Sequence, residues 1–369
     1  MRAAALLTGR GDRNSADDRH GPAPIRAPGR VVLRPGSGVP FRFELRSLLR
    51  VTAHVPSACV RKARFPRNRR GGADVLLAAS LWGTTGTVRT FADGASPYSI
   101  AAIRIVVGGL MLLCLAASTR RGAGLRRLLR ERRNLPLIGL GAVAISVYQT
   151  AFFVAAGRTG VAIGTVVTIG GAPVFAGLIG LVVRRSAPTG RWTLATAGAV
   201  AGCALLVGGG RDAGAEPLGI ALALLSGLSY AVYATVASVL ITRGEEDRAV
   251  AGALFGTAAV PLFAVLLAGS TSWLATGTGA LIALYLGVVT TGGGYLLFAR
   301  GLRTTPATTA TTLTLAEPAV AAVLGTAVLD ERLGGAALAG LVLLAVSLVV
   351  LVAPVRRRTT GKRGGNELV

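Results

Sequence analysis

The sequence predicts an all-α membrane protein with ten transmembrane helices, arranged as two inverted five-helix repeats. The first observation is composition, since 52% of the residues are hydrophobic and only 15% are charged, which is typical of chains that live in lipid. The second is that ten apolar segments, each about as long as a membrane crossing, follow one another from Ala73 to Val352. Inside lipid each segment must satisfy its own backbone hydrogen bonds, so the segments are expected to be helices.

The predicted spans are joined by short connections, so neighbouring helices are expected to be antiparallel. Only one connection is long, residues 119–134, and its arginines predict a basic amphipathic stretch on the inner membrane surface. The ten spans are predicted at residues 73–92, 97–118, 135–156, 160–183, 190–208, 217–241, 249–269, 278–299, 307–328 and 334–353.

These spans divide the chain into a first five-helix repeat, 73–208, and a second five-helix repeat, 217–353. Before them, residues 1–70 are rich in Arg, Pro and Gly without a sustained period, which predicts a disordered basic tail. A lipid-binding arm, a targeting peptide and a true start nearer Arg61 are the alternatives for this segment. Residues 354–369 predict a second basic tail on the cytoplasmic side.

The basic residues are distributed unevenly along the chain. With the N-terminus inside, 35 of the 40 Lys and Arg residues fall in the tails and loops of one side, and three fall in loops of the other side. Cytoplasmic loops carry this excess in membrane proteins, so both termini are expected in the cytoplasm. Orientation and contact with anionic lipid then explain the net charge of +24, and no nucleic acid is expected as a partner.

The two halves of the chain also resemble each other. Residues 137–186 align with 282–331 at a constant offset of 145, with nine identical positions, and Pro173 falls on Pro318. Each half holds five spans, an odd number, so the second half enters the membrane from the opposite side. Inverted repeats are typical of alternating-access transporters, whose substrate site lies near mid-membrane between the repeats. Accidental similarity between apolar helices is the alternative.

Glu317 is the most informative ionisable residue in a predicted span. It lies near the middle of the ninth span, directly before Pro318, which leaves the Thr314 carbonyl without its usual helical donor. A charge at this depth costs about 2.5–3.5 kcal/mol, so the side chain is expected to face a protein or water-lined interior. A carboxylate beside a loosened helix suits binding of a proton or a substrate amine. The alternative is a protonated carboxyl that hydrogen-bonds a neighbouring helix.

Arg104 lies about 10 Å into the second span, counted from Pro97. It suits binding of a substrate carboxylate or pairing with an acid. The alternatives are a structural ion pair and a side chain that extends toward the outer interface. Arg89 is close to the outer end of the first span and is predicted to be interfacial.

Polar and aromatic side chains recur inside the first, third, sixth and eighth spans. Together they predict a cavity for amphiphilic solutes, although helix packing explains any one of them. Besides Glu317 and Arg104, the candidate residues for binding substrate or a proton are Trp82, Tyr148, Gln149, Tyr230 and Tyr295. The two predicted helix breaks are at Pro173 and Pro318.

Several kinds of chemistry find no support in the sequence. The two histidines, His20 and His54, precede the first span, so the spans hold none for a metal site or a catalytic dyad. The sequence contains no GxxxxGK[ST] phosphate-binding loop, and its three cysteines form no CxxC pair. We therefore predict no metal, no cofactor and no enzymatic activity.

Four short motifs occur in a characteristic order: Leu81-Trp82-Gly83-Thr84, Pro97 with Arg104, Ala316-Glu317-Pro318, and Leu329-Asp330-Glu331-Arg332-Leu333. With this spacing, the chain resembles the drug/metabolite transporter superfamily, in particular its EamA-type ten-helix exporters, over residues 73–353. The first half departs from the pattern, since Ala172 and Ser186 stand where the second half has Glu317 and Glu331. The carboxylate role therefore rests on Glu317 alone.

The resemblance implies an inverted repeat, a central cavity lined by spans one, three, four, six, eight and nine, and transport of small metabolites, often efflux of amino acids or related compounds. We expect a multi-pass secondary transporter of a bacterial inner membrane that exports such a metabolite by alternating access, with Glu317 exchanging a proton for substrate. An uncoupled facilitator or antiporter and a non-transporting structural or sensory protein are the alternatives. The expected partners are a small-molecule substrate and the lipid bilayer, with a homodimer left open.

Overall fold

The structure is a computed structural model that describes residues 69–92, 94–184, 188–207, 216–328 and 334–353. These residues form helices and short connections, and no strand occurs among them, which confirms the all-α prediction. The predicted tails lie outside the described residues, apart from Arg69 and Arg70 at the start of the first helix. Ser186 and the motif at residues 329–333 lie outside them as well.

Ten membrane-length helices occur in the described part of the chain. The first five are α1 Arg69–Arg89, α2 Pro97–Ser118, α3 Leu135–Thr159, α4 Ile163–Val182 and α5 Gly190–Val207. The second five are α6 Pro217–Thr242, α7 Asp247–Ala268, α8 Gly277–Leu302, α9 Ala307–Val328 and α10 Gly335–Val352. A short helix between α2 and α3, Ala123–Arg130, is called the surface helix.

Polar caps and prolines set where several helices begin. The Ser96 hydroxyl accepts the Ser99 backbone N–H at 3.1 Å, and Pro97 fills the first turn of α2. Thr276 caps α8 in the same way by accepting the Gly279 N–H at 3.0 Å.

α3 and α4 form a hairpin, although helical residues continue from Leu135 to Arg184. Tyr148 of α3 and Thr168 of α4 would lie about 30 Å apart on a straight helix. Both nevertheless bond to a single turn of α6. The Ser226 hydroxyl donates to the Tyr148 carbonyl at 3.0 Å, and the Thr168 hydroxyl donates to the Ala223 carbonyl at 3.1 Å. The chain therefore reverses direction between the two segments.

Eight of these helices are long and apolar enough to cross a membrane by length and composition, and α1 and α5 are not among the eight. α1 nevertheless runs antiparallel along α8. The Trp82 indole donates to the Thr290 carbonyl at 2.9 Å, and the Thr84 hydroxyl lies 2.9 Å from the Tyr285 hydroxyl. At the other end of α1, Gly71 packs against Gly301. α1 therefore extends across the same thickness as α8.

α5 likewise packs along α10. Gly202 lies against Gly340 near one end of the pair, and Arg191 donates to the Val350 carbonyl near the other end. A Cβ added to Gly202 would come within 2.6 Å of the Leu344 backbone nitrogen, so the two helices approach backbone to backbone. α5 therefore packs within the bundle against α10, which is one of the eight.

The two five-helix repeats interlock through their first helices. α1 of the first repeat lies against α8 and α9 of the second, with Gly83 at the Glu317 carbonyl. α6 of the second repeat lies against α3 and α4 of the first, with Gly227 at the Thr168 carbonyl. Further pairs between the repeats include α2 with α7, where Gly109 meets Phe255, and α5 with α10. This reciprocal exchange is what two copies of one folding unit predict, and it agrees with the two-repeat architecture.

The surface helix covers one end of the bundle. Leu128 is fully buried, whereas Arg126, Arg127 and Arg130 are exposed, which confirms the amphipathic character predicted for this stretch. Arg127 pairs with Glu245 of the α6–α7 connection at 3.1 Å. The end of the bundle that holds this helix, together with Arg300 and Arg303, is called the arginine-rich end.

Candidate functional site

A cavity of about 210 Å³ lies between helices of both repeats. It extends from the middle of the bundle toward the end opposite the arginine-rich end, because Arg89 at the last position of α1 and Ile100 near the start of α2 both line it. The volume is below the ~300–1,000 Å³ of pockets for drug-sized ligands, which favours a small solute.

The structure brings all seven predicted binding residues to this one cavity. Its lining includes Trp82, Arg104, Tyr148, Gln149, Tyr230, Tyr295 and Glu317. Pro318 also lines it, whereas Pro173 does not, because Pro173 is buried in the packed part of α4. The six spans implied by the resemblance all contribute side chains, and α2 adds a seventh wall through Ile100 and Arg104.

The cavity holds both signs of charge at membrane depth. Glu317 is partly accessible from the cavity, and its carboxylate forms no hydrogen bond or ion pair of normal geometry within the described part of the chain. Arg104 donates from Nε to the Thr291 hydroxyl at 3.1 Å. Arg89 lies with its guanidinium carbon 6.0 Å from the centre of the Phe153 ring. Charges in hydrocarbon are expensive, so their convergence on one cavity is the arrangement expected for a solute pathway.

Three polar atoms in the lining are buried without a hydrogen bond of normal geometry to any described residue. They are the Thr85 hydroxyl, the Gln149 side-chain nitrogen and the Tyr230 hydroxyl. Leaving such a group unsatisfied costs roughly 1–3 kcal/mol, so a solute or water in the cavity is their natural partner. Gln149 carries most weight, since the residue is only 2% exposed.

An aromatic cluster closes the cavity on the side of the arginine-rich end. The Trp82 and Tyr295 rings are 4.7 Å apart, and Tyr295 lies 4.1 Å from Phe255. Tyr230 and Phe298 are 6.2 Å apart, and Tyr233 contacts both rings. Closer to that end, buried Asp74 of α1 pairs with Arg300 of α8 at 2.9 Å. The aromatic cluster therefore lies between the cavity and the arginine-rich end, and the Asp74–Arg300 pair lies beyond it.

The predicted break at Pro318 is present one turn earlier in α9. The helix Ala307–Leu313 ends, and a second helix begins at Ala316. The Thr314 carbonyl, which Pro318 deprives of a donor, accepts the Glu317 N–H at 3.0 Å. This tight turn places Glu317 at the junction of the two helical pieces. At Pro173 the structure differs from the prediction, because helical residues continue through that position.

Sequence reasoning missed part of the lining. Phe152 and Phe153 lie one turn after Tyr148 and Gln149 on the same face of α3, so helical periodicity offered a signal for them. Thr165, Thr168 and Ile169 share one face of α4 by the same rule. The π-helical segment Tyr285–Gly293 in α8, which supplies the Thr291 partner of Arg104, had no clear signal beyond the glycines at 292–294.

The EamA-like transporter family matches the chain twice, over residues 71–208 and 217–353. The chain belongs to this family. The "Uncharacterized transporter YwfM" of Bacillus subtilis (strain 168) is 37% identical over 290 residues, which cover 78% of this chain and 95% of that relative. A solved crystal structure with 19% sequence identity matches 76% of this chain and 94% of its own length, with a TM-score of 0.64, and supports the fold alone.

The family match confirms the resemblance inferred from the short motifs, and it makes this EamA-like protein a multi-pass membrane transporter. Of the helices that line the cavity, α1 to α4 belong to the first matched region, and α6, α8 and α9 belong to the second. The cavity of the EamA-like transporter is thus built by both copies of the family unit.

Proposed function

We propose that this EamA-like transporter exports a small metabolite, an amino acid or a related compound, across a bacterial inner membrane by alternating access. The observation that carries the proposal is the single cavity in which Glu317 and Arg104 lie among Trp82, Tyr148 and Tyr295. A carboxylate and a guanidinium in one small site suit a solute with an amine and a carboxylate, and the rings suit its apolar part.

The distribution of basic residues supports the orientation. The arginine-rich end, with the surface helix, Arg300 and Arg303, is assigned to the cytoplasm, and both termini are assigned there with it. The cavity then belongs to the outer half of the membrane, and the aromatic cluster with the Asp74–Arg300 pair is the closed inner side. Export requires this inner side to open in a second state of the cycle.

We assign the coupling role to Glu317. It is the only carboxylate in the described lining of the cavity, and no described residue holds it in an ion pair. Its position beside the interruption of α9 lets a change in its charge act on the helix joint. In this scheme Glu317 exchanges a proton for substrate during each cycle.

The test is untargeted mass spectrometry of the medium from cells that express the chain, its Glu317→Gln variant, or neither. A metabolite that accumulates outside only with the unmodified chain supports export and names the substrate. Glu317→Gln should lower this export by about 10- to 100-fold, the range expected for losing a charge-assisted hydrogen bond. Glu131→Gln is the matched control, since Glu131 pairs with Arg133 at 2.8 Å on the protein surface, outside the cavity lining.

Energy coupling is tested separately in proteoliposomes with the metabolite so identified. Proton coupling predicts accumulation driven by a pH gradient, and loss of that response in Glu317→Gln. Counterflow that ignores the gradient in both proteins would favour an uncoupled facilitator or antiporter. Normal export by Glu317→Gln that still follows the gradient would remove the role assigned to Glu317.

A further inference from the structure

The π-helical segment Tyr285–Gly293 of α8 forms hydrogen bonds with two helices that line the cavity, α1 and α2. Its Thr290 carbonyl accepts the Trp82 indole N–H of α1 at 2.9 Å. Its Thr291 hydroxyl accepts the Arg104 Nε–H of α2 at 3.1 Å. π-Helical turns are uncommon and are frequent at functional sites. The segment is therefore expected to have a role in the site in addition to packing.

The hydrogen positions around Thr291 follow from the donors available. The Thr291 hydroxyl lies 2.8 Å from the Leu286 carbonyl, which has only lone pairs, so the hydroxyl proton must point there. The hydroxyl oxygen then faces Arg104 as an acceptor, which matches the Nε–H that approaches it. Thr291 is itself fully buried, so solvent does not compete with the Leu286 carbonyl for the hydroxyl proton.

Close backbone contact holds α2 against this segment. A Cβ on Gly108, one turn after Arg104, would lie 2.6 Å from the Gly287 carbonyl oxygen and 2.5 Å from the Thr291 methyl group. A Cβ on Gly287 would lie 2.5 Å from Val107. The two glycines thus let α2 and the π-helical segment approach closely, and this close packing sets the distance between Arg104 and Thr291.

The bond at Nε leaves the rest of the guanidinium available. Neither terminal nitrogen of Arg104 forms a hydrogen bond or ion pair of normal geometry with the residues that the structure describes. Arg104 lines the cavity, and these two nitrogens carry its four remaining N–H donors. A fork of this kind binds a carboxylate or another planar anionic group in bidentate fashion.

We propose that Thr291 is a positioning residue, which tethers Arg104 at Nε so that its two terminal nitrogens are presented to the cavity for an anionic group of the substrate. The proposal rests on the proposed function in one respect, namely that the cavity is the transport site. Thr291 does not touch the substrate in this scheme. The π-helical turn sets the hydroxyl where an α-helical turn would place it at a different angle around the helix.

The test measures how fast phenylglyoxal modifies Arg104 in the purified full-length protein, with the Arg104 peptide quantified by mass spectrometry. Thr291→Val keeps the shape of the side chain and removes the acceptor. We expect it to let the guanidinium turn away from the cavity and to lower the modification rate about tenfold, the factor associated with a hydrogen bond to a charged group. Thr291→Ser restores the hydroxyl and should return the rate to that of the unmodified chain.

Thr290→Val is the matched control. The Thr290 hydroxyl donates to the same Leu286 carbonyl, at 2.7 Å, but does not contact Arg104. If Thr290→Val lowers the Arg104 rate as much as Thr291→Val, the effect is general loosening of the π-helical segment and the proposal is wrong. An unchanged rate in Thr291→Val, or an Arg104 that phenylglyoxal modifies in none of the proteins, also overturns it. Because labelling needs no substrate, a failure of the export proposal would leave this result readable.

Discussion

α4 and α9 occupy corresponding positions in the two repeats, yet they meet the cavity differently. α9 is interrupted before its proline and lines the cavity with Thr314, Glu317 and Pro318. α4 stays helical through Pro173 and lines the cavity only near its start, from Thr165 to Ile169. A proline at the corresponding position therefore does not by itself interrupt a helix. The hydrogen bonds around it decide whether an interruption forms.

Threonine hydroxyls account for much of the difference. In α9 the hydroxyls of Thr311 and Thr312 bond back to the Thr308 carbonyl, and Thr314 bonds back to the Thr311 carbonyl. Such bonds compete with the helical ladder and bend helices. In α4 the Thr168 hydroxyl bonds across to the Ala223 carbonyl of α6, which secures the helix to its neighbour. The back-bonds thus cluster beside the interruption in α9, where the Thr312 hydroxyl also reaches the Thr196 hydroxyl of α5 at 3.0 Å, whereas Thr168 only anchors α4 to α6.

The largest stability effect is expected where the first helix of each repeat crosses these two helices. A Cβ on Gly83 would lie 2.9 Å from the Glu317 carbonyl oxygen of α9, and a Cβ on Gly227 would lie 2.6 Å from the Thr168 carbonyl oxygen of α4. Gly83→Ala and Gly227→Ala should each lower the free energy of unfolding by about 1–3 kcal/mol, the cost of overpacking. Thermal unfolding in detergent checks this, with Gly139→Ala as the control, because open space surrounds Gly139.

A strong effect of Gly227→Ala beside a weak effect of Gly83→Ala would mean that the broken α9 yields where the continuous α4 does not. Equal effects would show that both crossings are equally rigid despite the interruption. Gly83 lines the cavity and Gly227 does not, but neither glycine carries a polar side chain, so unfolding measured without substrate reports on packing.

The fold could be predicted from the sequence because lipid imposes helices, and apolar length alone then locates most of them. The site could be predicted in part, since Glu317 and Arg104 are costly in hydrocarbon unless they face an interior. The π-helical segment and the continuity of α4 through Pro173 depend on partners in other helices, such as Arg104 for Thr291 and Ala223 for Thr168. Those contacts are set by three-dimensional packing, which local sequence does not contain.

A second, functional difference between the helices is expected in cysteine accessibility. Ala321 of α9 lines the cavity, whereas its counterpart at the offset of 145, Ala176 of α4, is 1% exposed. If the repeats exchange roles in alternating access, Ala176 lines the cavity of the inward-facing state. In a chain without native cysteines, Ala321→Cys should react with an impermeant thiol reagent from the outer side, and Ala176→Cys from the arginine-rich side.

The expected preference for one side is about tenfold in each case, which corresponds to about 1.4 kcal/mol between the two accessible states. Oriented membrane vesicles with reagent added to one side at a time provide the measurement. Reaction of Ala176→Cys from the same side as Ala321→Cys would contradict the exchange of roles between α4 and α9.

The smallest effect is expected for the threonines that distinguish the two helices. Thr168→Val removes a hydrogen bond between helices, which is worth about 0.6 kcal/mol on average inside membrane proteins. Thr314→Val removes a bond within α9 that competes with the helical ladder, so it should cost less or even stabilise the helix. The measurement is the free energy of unfolding of both variants in bicelles, with Thr168→Ser as the control that restores the hydroxyl. If Thr314→Val costs as much as Thr168→Val, the hydroxyl supports the joint beside Glu317 and does not merely loosen it, and Pro318 alone must account for the interruption.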